Sequence, residues 1–325
     1  MTAYLLRRLL TLVPILLGIT VISFGIMKLA PGKPTDVALG FNPKVSLEAR
    51  ERMERLLGLD QPIHIQYLNW LRRVARLDFD RSHVDLRPVR DKILERLPIT
   101  VTINLWALGL VFGIAVPLGV LAAVRPEGPF DRLTTVFVFV GYSTPGFWLG
   151  LLCIAVFGVG LRWFPVSGIH SIDHEAMGLF QRWLDTAWHL VLPVGVMTFV
   201  GLAGISRYAR SGMIEVLRQD YIRTARAKGL SERSVLFRHG LRNALLPIVT
   251  ILGLSLPDLI AGSVVMETVF SIPGMGRLFY DAVMARDQNV VMALVTVGAL
   301  LTLLGNLLAD VAYAYADPRI RVGQR

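Results

Sequence analysis

Charge is scarce in this sequence. Only 18% of its 325 residues are Asp, Glu, Lys or Arg, while 54% are hydrophobic and the mean hydropathy is +0.55. A soluble domain carries about a quarter charged residues, so a water-dissolved globule is excluded and lipid is the expected solvent. Cysteine is almost absent. Cys153 stands alone inside an apolar block, which rules out an internal disulfide and reads as a buried structural thiol. There is no Gly-x4-Gly-Lys-Ser/Thr loop, so any ATP must be bound by another subunit. No nucleophile with a base and no paired acids stand at membrane depth, which leaves an embedded protease or transferase without its chemistry. His170, Asp173 and His174 lack a third strong ligand, and His174-Glu175-Ala176-Met177-Gly178 lacks the second histidine of a zinc-protease helix. A solvated loop and no metal are expected there.

What the chain has instead is long uncharged blocks. A stretch of about 20 apolar residues crosses a hydrocarbon layer about 30 Å thick, and six such blocks are present. They run from Leu9 to Met27, Leu97 to Val124, Leu133 to Leu161, between Asp185 and Arg207, from Asn243 to Met266 with only Asp258 inside, and from Gln288 to Ala309. They do not alternate, so they read as helices rather than barrel strands. Arg7 and Arg8 precede a run longer than a signal core, with no small-residue cleavage site at 29–32, so an uncleaved first span is expected.

The net charge of +10 raises nucleic acid as a partner, and its distribution argues against it. Residues 207–242 hold nine basic and three acidic residues, whereas 161–185 and 267–287 hold two basic residues each. That asymmetry places the 207–242 loop in the cytoplasm. An even number of spans then puts both termini there as well. The expected organisation is 1–30, N-terminus and first span; 31–96, an external segment; 97–316, a five-helix core including the coupling loop 207–242; and 317–325, a cytoplasmic tail. In the external segment, Ser46–Leu57 and Ile63–Leu77 are candidate helices. Gly109 with Gly113 and Gly146 with Gly150 have the spacing of close helix packing. Pro14, Pro117, Pro145, Pro193, Pro247 and Pro257 are expected to kink or end helices.

The loop between the fourth and fifth blocks is the most informative segment. Asp220 is a candidate N-cap, Gly229 a helix stop, and Ser231 a cap for a next helix to about Leu241. An isolated helix of two turns is marginal in water, so it must pack on something. Ala225, Ala227 and Gly229 leave room for a partner, and Arg223, Arg226 and Lys228 offer charge to its rim.

Arg223-Thr224-Ala225, Gly229 and Leu246-Pro247 resemble the coupling motif of binding-protein-dependent ABC importer permeases, with Arg in place of the usual first Glu and a later Leu-Pro. Both departures are similar to the dipeptide, oligopeptide and nickel branch. The same branch is matched in order by Tyr4 to Leu10, Ala30-Pro31-Gly32, Leu57 to Pro62, Gln66-Tyr67-Leu68, Gly141 to Pro145, Met266 to Arg277 and Asp317 to Arg321. The long first loop resembles the first of the branch's two sister permeases.

The resemblance implies an all-α integral membrane protein of six transmembrane helices with the type I ABC importer permease fold, in a bacterial or archaeal plasma membrane. It implies a permease, not an enzyme, paired with a sister permease, two cytoplasmic ATPase subunits that bind ATP and Mg, and an external solute-binding protein. Di- or oligopeptides are the expected cargo; nickel or oligosaccharide, or an ion-gradient drive, are the alternatives. Tyr221, Arg223, Thr224, Ala225, Arg226, Lys228 and Gly229 are expected to couple to the ATPases. Asp258, Ser143 and Pro145 are candidates for the translocation path. Glu267, Phe270, Pro273, Gly274 and Gly276 are candidates for a binding-protein contact or outer gate.

Overall fold

The computed structural model describes residues 2–29, 48, 51, 52, 55, 58–255, 259 and 262–316. Apart from loops and one isolated bridge between Arg81 and Pro88, the described residues are helical. The candidate helix at Ser46–Leu57 lies mostly outside them, and Asp258 wholly so.

The first span is α1 (Thr2–Leu29), and the helix expected in the long loop forms as α2 (Ile63–Val74). Its aromatic face packs on α1: Tyr67 meets Phe24 edge-on at 5.4 Å, its hydroxyl lies 2.9 Å from Thr20 Oγ1, and Trp70 is buried. The second span, α3 (Val89–Val124), begins eight residues before its apolar block. The preceding segment is charged but amphipathic, and Val89 and Ile93, one turn apart, are buried against residues 275–294. A hydropathy window misses such an extension because only one face of it is apolar.

The third block breaks at Pro145, as expected of that proline. It forms α4 (Pro129–Ser143) and α5 (Gly146–Cys153, continuing as a π-helical turn Ile154–Gly160), bent by 97° at the break. Pro145 has no N–H to continue the ladder and forces Thr144 into extended backbone (φ −89°, ψ 124°). The pair still crosses the bundle. The fourth span, α6 (Leu179–Leu217), meets the start of α4 with its own end, through Arg210 and Asp131. The chain must therefore reach the opposite face before α6 begins.

Helix directions follow from the contacts. Gly119 of α3 lies against Ser206 and Ala209, and Val111 against Gly201, a constant offset that only parallel helices keep. Gly141 of α4 lies against Phe199, and Asp131 pairs with Arg210, the pattern of an antiparallel neighbour. A Cβ at Gly119 would stand 2.4 Å from the Ser206 carbonyl oxygen, so α3 and α6 touch backbone to backbone. Gly146 and Gly150 instead face the side chains of Met266, Val269 and Phe270, whereas Gly109 and Gly113 face open space in this chain.

Beyond α6 come α7 (Asp220–Ala227), α8 (Glu232–Ala244, π-helical over Val235–Leu241) and α9 (Leu246–Leu254). The fifth block thus begins near the end of α8, a helix that starts well before Asn243, and α9 ends at Leu254. The remainder of its described part is a separate short helix, α10 (Val264–Val269). Asn104 of α3 donates to the Leu259 carbonyl at 3.1 Å. The chain closes with α11 (Met275–Met284) and α12 (Gln288–Ala316). Within their apolar windows α6 is 56% buried and α1 only 6%, so α6 is the central post and α1 hangs at the edge. The four long helices and two bent pairs give up to six crossings by length and composition.

Candidate functional site

The loop after α6 builds the expected short helix, with its caps adjusted. Gln219, in extended backbone, takes the N-cap position, and Asp220 falls in the first turn, where its charge favours the positive helix end. The C-terminal stop is at Gly229, with φ +74°. Its N–H donates to the Arg226 carbonyl at 2.9 Å and Leu230 N–H to Ala225 at 3.4 Å, the paired bonds of a Schellman cap. Ser231 Oγ accepts from Ser234 N–H at 3.4 Å and starts α8 as expected. That helix does not stop near Leu241 but continues to Ala244.

The faces of α7 differ from expectation at one residue. Ile222 is fully buried and Ala225 is 6% exposed, both packed on Val235 of α8 and on Leu217. Ala225 therefore serves the chain's own core, because the side facing α8 needs a small residue to let two helices close. Tyr221 receives a 2.8 Å hydrogen bond from Asn243, and Arg226 is engaged by Glu232 at 2.9 and 3.3 Å across the turn. Arg223, Thr224, Ala227, Lys228 and Gly229 remain on the outer side. Arg223 has only a 3.4 Å contact with an almost fully exposed Asp220, worth little in water. A Cβ at Gly240, in the π segment, would stand 2.8 Å from Met213 Cε, so α8 is seated against α6. Nearby, Arg210 grips Asp131 through two bonds of 2.6 and 2.7 Å, and Asp131 also accepts from Glu127 N–H.

At the opposite end, Glu267 is 3% exposed and accepts from Thr100 Oγ1 and Arg277 N–H, both at 2.9 Å. Burial pushes its pKa above the ordinary glutamate value, although these hydrogen bonds work against the shift. A Cβ at Gly274 would stand 2.4 Å from the Glu267 carboxyl carbon, so glycine is what lets the loop wrap this acid. Phe270 and Gly276 are buried too, and Pro273 half-buried. Glu267, Phe270, Gly274 and Gly276 are thus turned into the interior of this chain's own loop. Ser143 and Pro145 are exposed at the α4–α5 break.

Other polar pairs were not foreseen. Asp185 accepts from Ser171 N–H at 2.9 Å and Ser171 Oγ at 2.6 Å, with His174 Nδ1 at 2.8 Å. His174 is thus anchored rather than solvated, stacked on His170. Asp287 binds Ser82 Oγ and His83 N–H, fastening the segment before α3 to the turn before α12. Asp131, Asp185 and Asp287 lie at block edges in the sequence; what it lacks is any sign of their distant partners. No group of three or more His, Cys, Asp or Glu among the described residues is placed to hold a metal.

Residues 115–322 match the family described as the binding-protein-dependent transport system inner membrane component, and residues 1–104 match its N-terminal counterpart. The chain belongs to this family of ABC importer permeases. Such a permease is a multi-pass inner-membrane subunit and not itself the ATPase. Among its relatives is the oligopeptide transport system permease AppB of Bacillus subtilis (strain 168), 47% identical over 98% of this chain and 99% of that protein. The di/tripeptide transport system permease DppB of Pseudomonas aeruginosa (strain UCBPP-PA14) is 38% identical over 99% of each. A chain of the inward-facing MetNI methionine ABC transporter shares the fold, with a TM-score of 0.50 at 19% identity over 68% of this chain and 95% of that one. The permease is therefore all-α and integral to the membrane, with the type I importer fold.

Proposed function

We propose that this permease imports di- or oligopeptides and that α7 is where separate ATPase subunits drive it. The observation that carries the coupling role is the two-sidedness of α7. Ile222 and Ala225 seal one face into α6 and α8, while Arg223, Thr224, Ala227 and Lys228 are exposed on the other. A push on the exposed face is delivered to the bundle through a packed contact, and packed contacts transmit displacement because protein interiors are dense. ATP would then bias the bundle between inward- and outward-facing states. The partners are a sister permease, two cytoplasmic ATPases binding ATP and Mg, and an external binding protein, with both termini of this chain in the cytoplasm. The names of AppB and DppB support peptides as the cargo class over nickel or oligosaccharide. Membership of an ABC importer family replaces the ion-gradient drive. Ser143 and Pro145 stay candidates for the path, and Asp258 with them.

The test uses the assembled transporter in liposomes. Arg226 already holds Glu232, so its reversal would break an internal bridge; Arg223 and Lys228 are the cleaner pair. R223E/K228E is expected to insert and to co-purify with the sister permease, yet to lose ATP-driven peptide uptake. Uptake at the wild-type rate, or failure of a crosslinker at A227C to capture an ATPase, would refute the coupling role.

A further inference from the structure

A groove of about 730 Å³ runs between α4 and α6, floored by α3. Its size falls within the roughly 300–1,000 Å³ of small-molecule sites. Two arginines line it, and their states differ. Arg210 is neutralised by the buried Asp131 through Nε and a terminal nitrogen. Arg207 is exposed and has no ion pair or hydrogen bond among the described residues, so the groove carries one uncompensated positive charge. Three hydroxyl groups on the lining, those of Tyr142, Tyr208 and Ser211, are likewise without hydrogen bonds among the described residues. They are ready to bind a charged oxygen. Gly119 and Ala203 are among the small residues that line it.

We propose that this groove is a station on the translocation path that binds the free C-terminal carboxylate of the cargo, with Arg207 as the carboxylate-binding residue; the inference rests on the peptide-importer function proposed above. Depth separates the Tyr142 end of the groove from the lipid headgroups. Tyr142 stands about 16 Å of helix beyond Asp131, well inside the hydrocarbon layer, where a hydroxyl facing lipid would go unsatisfied. A hydrated, solute-accepting surface explains it. Arg207 sits toward the other end of the groove, so a short peptide can place its terminus on the guanidinium and its body along the aromatic rings of Tyr142 and Phe139.

The experiment uses the complete transporter in nanodiscs and a photoreactive tripeptide, competed by trialanine or by its C-terminal amide. Crosslinks are expected on α4 and α6, with the free acid competing roughly tenfold better than the amide, the scale of one charge-assisted hydrogen bond. R207Q should erase that preference and R207K should restore most of it, each in assemblies shown to retain the ATPases by co-purification. Equal competition by acid and amide in the wild type overturns the inference. So does an unchanged preference in R207Q, including the case where that variant loses only bound anionic lipid, and so do crosslinks confined to other helices. If the wild-type transporter takes up no trialanine at all, the peptide function falls first, and the inference falls with it.

Discussion

Glu267 shows how one residue's ionisation is set by burial. Its carboxyl is enclosed by Thr100, Gly274 and the backbone of Arg277, and burial raises its pKa. The folded chain therefore holds this proton more tightly than the unfolded chain. Its stabilising contribution is complete below the ordinary glutamate range and is lost as pH rises through the raised value. The thermal midpoint of wild type relative to E267Q should accordingly fall as pH increases, measured in detergent with the same variant as baseline. A flat difference would contradict the assigned burial. Asp131 is the opposite case, a buried acid held by a cation. Its side chain is 4% exposed and that of Arg210 32%, so D131N strands a half-buried guanidinium. We expect a loss of about 2 kcal/mol, below the full cost of breaking a buried pair because Arg210 keeps some water. D131N/R210Q should recover part of it, and thermal unfolding of the two variants decides.

At the scale of elements, α7 is seated by an apolar plug and a turn, beside the Tyr221–Asn243 and Arg226–Glu232 bonds. Ile222, with no exposed surface, plugs the space between α7 and Val235. I222A should cost about 2–4 kcal/mol locally and disconnect ATPase activity from uptake while the protein still inserts. Gly229 sits at φ +74° with no atom near a Cβ position, so strain alone opposes substitution. G229V should cost about 1–2 kcal/mol, whereas G229N, which tolerates this backbone region, should behave nearly as wild type. Equal uptake by I222A and wild type would show that the α7 contact does not carry the push, and equal damage by G229N and G229V would show that backbone strain is not what Gly229 relieves. The caps of this loop were legible because capping is local: Gly229 and Ser231 act on atoms within a few residues. The inward turn of Ala225 was not, since a two-turn helix of mixed composition has no apolar stripe long enough to fix its facing.

The whole molecule is a central post, α6, with α3 parallel and α4 antiparallel to it, and α1 at the rim. This arrangement sends the α7 loop and the residue 161–178 loop to opposite faces. Single cysteines in a Cys153-free background test it: A227C should react with an impermeant thiol reagent only from the cytoplasmic side. I172C, fully exposed, should react only from outside. Labelling of both from one side would overturn the topology.

Alone, the sequence determined the lipid solvent, the approximate positions of the crossings, the short capped helix and the family resemblance, because hydropathy, helix caps and motifs act over a few neighbouring residues. Only the tertiary structure decided that Pro145 breaks its crossing while Pro117 and Pro193 leave theirs continuous, that Ala225 and Glu267 point inward, and that Asp131 consumes the charge of Arg210 while Arg207 keeps its own. Each of these depends on groups far apart in the chain, and whether a polar atom is satisfied or free is a property of what packing brings beside it.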